Sequence, residues 1–91
     1  MVVAVAACAR RMPPRATAMD AERVNVTVED LEHGRSLLVA KCGSRCHKAP
    51  MPTDKRVDEW PKALDEMSTR ANLSGEQRHS IEQYLLAMAR R

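Results

Sequence analysis

Two thiols and an imidazole stand together in the middle of this chain, in Cys42-Gly43-Ser44-Arg45-Cys46-His47. A cysteine pair followed at once by histidine is the pattern of covalent haem attachment: the thiols add to two porphyrin vinyl groups and the adjacent imidazole ligates the iron. The usual spacing puts two residues between the cysteines, and here there are three. On a helical turn, side chains at i and i+4 share a face as those at i and i+3 do, so both sulfurs still reach one porphyrin edge. Gly43, with no Cβ to restrict φ and ψ, eases the backbone adjustment that the extra residue demands. The same residues support two blander readings. Cys42 and Cys46 can close a disulfide, or they can join His47 and one distant side chain around a structural zinc ion.

What must position these groups is small. The 91 residues make one domain at most, with no Phe, one Trp (Trp60) and one Tyr (Tyr84). The large rings that supply much of a core's apolar area are nearly missing, so a staple is expected. A haem fills volume, whereas zinc cross-links without filling, and this favours haem. The net charge is +3. Arg10, Arg11, Arg15 and Arg23 outweigh Asp20 and Glu22 near the start, which leaves the rest close to neutral. Basic residues interleaved with aromatics are absent, and nothing speaks for a nucleic-acid partner.

Residues 1–26 read as a leader or disordered segment. Met1 to Ala9 is apolar, too short to span a bilayer, and followed by Arg10-Arg11. It resembles an incomplete export signal. Val5-Ala6-Ala7-Cys8 has the form of a lipoprotein processing site with Cys8 lipidated as a membrane tether, and Ala16-Thr17-Ala18 that of a small-x-small cleavage site. The expected location is periplasmic or otherwise exported.

Residues 27–91 carry helical signals throughout. Thr27 with Asp30 predicts a capping box, and Leu31, Leu37, Leu38 and Val39 carry the helix to Cys42, with Gly34 explained by a close helix crossing. After a Pro-containing loop, Asp58 is expected to cap a second helix, with Pro61 in its first turn and Trp60, Leu64, Met67 and Ala71 on its inward face. A third helix is predicted from the Ser74–Gln77 capping box, with Ile81, Tyr84, Leu85 and Met88 as its stripe. There are no strand-like alternations, and the fold class is all-α.

The Cys/Cys-His group at the end of a helix containing Gly34, the Pro loop, the Trp-led helix with a Met and a last helix ending Ile81-Glu82-Gln83-Tyr84-Leu85-Leu86 together resemble small monohaem c-type cytochromes. The resemblance covers roughly residues 30–86 and implies a cytochrome c-like fold of three or four helices around one haem c, covalent through Cys42 and Cys46. It implies His47 as proximal iron ligand and a Met as distal one. Met67, on the inward stripe, is the choice; Met51 follows the motif too closely to reach the other haem face, and His33 and His79 sit in polar settings. It further implies that Pro50 accepts the His47 Nδ1–H through its carbonyl. Trp60 is expected either to bond a propionate or to fill the core.

The implied function is non-enzymatic: one-electron transfer to and from partner proteins. Lys41, Arg45, Lys48, Lys55, Arg56 and Lys62 outnumber the neighbouring acids, which suits a partner with an acidic docking surface. A five-coordinate haem that binds a gas or reduces peroxide, and a zinc- or disulfide-stapled interaction module, are the alternatives.

Overall fold

The computed structural model describes residues 12–43 and 50–90; Cys8, Cys46 and His47 lie outside them. Among the described residues four α-helices follow one another: α1 (Ala18–Val24), α2 (Val28–Leu37), α3 (Trp60–Ala71) and α4 (Gly75–Met88). A π-helical turn, Leu38–Cys42, prolongs α2, and two 3-10 turns, Pro52–Asp54 and Val57–Glu59, lead into α3. No strand occurs among these residues. One isolated bridge pairs Arg56 with Arg90, where the Val57 N–H donates to the Arg90 carbonyl at 2.9 Å. The all-α class expected from the periodicity is the class observed.

Three helix starts are closed by the same device. Thr17, Thr27 and Ser74 each accept from the backbone N–H three residues on, and the side chains of Asp20, Asp30 and Gln77 accept from the cap's own N–H. Each reciprocal pair satisfies two backbone donors that the helix cannot. α3 starts differently. Asp58 does not cap it; that carboxylate pairs with Arg56 at 3.4 Å, and the 3-10 turn before Trp60 runs directly into the helix with Pro61 in its first turn. The turn supplies the geometry that a cap would otherwise provide, and proline needs no N–H partner there.

The central contact is the crossing of α2 on α4. A Cβ at Gly34 would collide with the Ser80 carbonyl oxygen and lie 3.0 Å from Tyr84 Cβ, so only glycine lets the two backbones approach this closely. Around it Leu31, Leu38, Trp60, Leu64, Ile81, Tyr84 and Leu85 are all at most 1% exposed. Both aromatic residues sit at the middle, and Pro13 and Pro52 are fully buried with them.

Pro13 marks the main departure from the sequence reading. Residues 12–26, read there as part of a leader or disordered segment, pack onto the helices. Arg35 Nε donates to the Pro13 carbonyl at 2.7 Å, Tyr84 Oη donates to that of Pro14, and the Ala16 N–H donates to Glu32 Oε2 at 2.7 Å. Arg23 from α1 reaches the Ala87 carbonyl near the end of α4 at 2.7 Å. The proposed cleavage site at Ala16-Thr17-Ala18 coincides with the N-cap of α1, so a cut there would sever the strap from the fold.

Candidate functional site

The described part of the site is built by two elements. The π turn at the end of α2 delivers Cys42 as its last residue, and α3 delivers Met67 two turns after Trp60. Gly43 then turns extended, with φ −105° and ψ 146°, and is buried. Gly43 thus adopts a conformation open to any residue, and the turn that the sequence predicts to bring Cys46 onto the face of Cys42 lies outside the described residues. Departures from α to π geometry inside a helix cluster at functional sites, which agrees with the position of this one immediately before the cysteine.

Cys42 and Met67 border one cavity of about 200 Å3, together with Lys41, Arg70 and Ala71. Both sulfur residues are half-buried and pack on the core. Burial pushes the Cys42 thiol above its ordinary range, because thiolate is the form that low-dielectric surroundings disfavour. Met67 also borders a second, open cavity of about 530 Å3 whose wall includes Lys55, Glu59 and Lys62.

The remaining predicted residues divide as follows. Trp60 is 1% exposed and its indole N–H donates to the Pro52 carbonyl at 2.9 Å, so its one proton is committed within the core and none is left for a propionate. Pro50 is half-buried beside the 3-10 turn, while the His47 ring it is expected to orient lies outside the described residues, as does Cys46. His33 and His79 are exposed on α2 and α4, as expected of polar settings. Arg70 at the cavity was not foreseen, although its place three residues after Met67 puts it on the adjoining helix flank.

Donor chemistry is the test of whether these residues suit a tethered haem. A thiol able to form a thioether and a thioether sulfur able to ligate iron border one cavity from different elements, with the positive charges of Lys41 and Arg70 beside them. The fit is chemical as far as Cys42 and Met67 carry it. Among the described residues no three His, Cys, Asp or Glu side chains gather to hold a metal. Comparison of the chain with protein-family models, curated proteins and solved structures gives no match.

Proposed function

We propose that this protein is a small electron carrier with one haem c attached through Cys42 and Cys46, ligated by His47 and Met67. The single observation that supports it most is the shared cavity of Cys42 and Met67, which the motif and the stripe of α3 reach from opposite directions in sequence. When bound, haem supplies a one-electron ferric/ferrous couple, and histidine–methionine ligation places that couple at higher potential than two histidines do.

The chain's residues have separate tasks in this reading. Cys42 ends a helix anchored by Leu38 in the core, so one tether point is fixed relative to α4. Met67 is held by its neighbours Leu64 and Trp60 one and two turns earlier, both buried, which limits how far its sulfur wanders. Among the described residues Lys41 and Arg70 border the Cys42 cavity without an acid, which gives a redox partner with acidic side chains a surface to meet, whereas Lys55 and Lys62 share the second cavity with Asp58, Glu59 and Glu66. Export belongs to this proposal, since covalent haem attachment in the resembled family takes place outside the cytoplasm.

Met67→Ala tests the proposal. Covalent haem, read as a pyridine haemochrome, stays at one per chain. The weak near-infrared band of ferric methionine ligation is expected in the wild type and absent from the variant, the potential falls, and carbon monoxide gains access. If Met67 only packs, the substitution costs about 2–5 kcal/mol of stability and leaves the ligand-field spectrum unchanged, which rejects the assignment.

A further inference from the structure

Two of the chain's three histidines lie outside the Cys42–His47 motif, His33 on α2 and His79 on α4. Both border the same open groove, of about 450 Å3, together with Leu37, Glu76 and Ser80. The helix crossing makes them neighbours. Gly34, next to His33, meets the backbone of Ser80, next to His79. With consecutive Cα atoms 3.8 Å apart, the two histidine Cα atoms are separated by at most roughly 14 Å. Both side chains border the one groove, which brings their imidazoles toward a common ion within that limit.

We propose that His33 and His79 form a two-imidazole site for a divalent cation of the zinc, nickel or copper class, clamping α2 to α4 across their crossing. Imidazole is a ligand suited to these metals. No third ligating side chain is gathered with the pair among the described residues, so water completes the coordination. Glu76, one turn before His79 on the same groove, adds negative charge, and no Lys or Arg among the described residues borders the groove to repel a cation. The site is independent of the haem reading, because it uses none of the motif's residues.

Zinc titration calorimetry on the full chain tests it, run beside the variants H33Q and H79Q and the double variant Cys42→Ser/Cys46→Ser. Both histidines are exposed, so their replacement leaves the fold intact. One equivalent of zinc is expected to bind and to survive in the double cysteine variant. It is expected to weaken about tenfold or more in each histidine variant, one ligand of two having gone. Zinc is also expected to raise the thermal midpoint of the wild type but not of H33Q or H79Q, because a ligand that binds only the folded state stabilises it. Zinc binding that is absent, that either histidine variant leaves unchanged, or that vanishes with the cysteines overturns the proposal. The haem content of the same preparations reports separately on the electron-carrier reading.

Discussion

Two single residues show how tertiary contact sets the sign of a substitution that local propensity would favour. Gly34 and Ser68 both lie inside helices, where alanine is preferred to glycine by about 1 kcal/mol and to serine by less. A methyl group at Gly34 meets the Ser80 carbonyl and Tyr84 Cβ, and neither is the free end of a flexible side chain. Gly34→Ala is therefore expected to destabilise by about 1–3 kcal/mol despite the propensity gain, read as a lower urea midpoint. At Ser68 the hydroxyl oxygen is buried, and among the described residues no hydrogen-bond partner reaches it. Ser68→Ala removes that unsatisfied group and is expected to raise the midpoint by about 1 kcal/mol.

At the scale of elements, the segment before α2 is structural. The Pro13 and Pro14 carbonyls and the Ala16 N–H take their partners from α2 and α4, so the strap ties together the two helices that cross at Gly34. Within it, burial raises the Asp20 carboxyl, but the Thr17 N–H and hydroxyl together with Arg23 outweigh that effect and hold it below its ordinary value. A chain begun at Met19 loses the strap and the α1 capping box at once. Compared with a chain begun at Met12, it is expected to unfold at lower urea and to show a Tyr84 phenol accessible to solvent quenchers; equal stability of the two would mean that the strap only rests on the surface. Thr17→Ala alone is expected to cost about 1 kcal/mol.

For the whole molecule, the half-buried Cys42 and the buried Tyr84 make stability depend on alkaline pH. Burial raises the Cys42 thiol from its ordinary 9.0, and burial, offset in part by Arg35, raises the Tyr84 phenol from its ordinary 10.0. Both groups are neutral when folded, and the unfolded chain gives up its protons first. Their contribution is thus complete below the unfolded values and is lost as pH climbs toward the folded ones. In the haem-free chain the urea midpoint should hold steady to about pH 8.5, decline as unfolded thiols ionise, and decline more steeply beyond about pH 10. Tyr84→Phe should remove the upper step, at a cost of about 0.5–1.5 kcal/mol at neutral pH for the lost bond to Pro14. Under the proposed attachment of haem at Cys42 that thiol is consumed, and a haem-loaded chain should lack its share of the lower step.

Local rules were legible in the chain before any fold was known. The capping pairs Thr27–Asp30 and Ser74–Gln77, the stripes on α3 and α4, and the cysteine–histidine motif depend on residues within a few positions of one another, where backbone geometry alone dictates what can meet. Thr17-Ala18-Met19-Asp20 obeys the same rule and announces α1, but the apolar run before it drew the segment into a leader. What only the tertiary structure decided are meetings between residues far apart in sequence. They include Cys42 with Met67 at one cavity, His33 with His79 at one groove, the Trp60 indole bound to Pro52, and the proline strap across α2 and α4. Periodicity states which face of a helix turns inward and is silent on its neighbour there. That choice falls to close packing, here through Gly34, where two backbones touch.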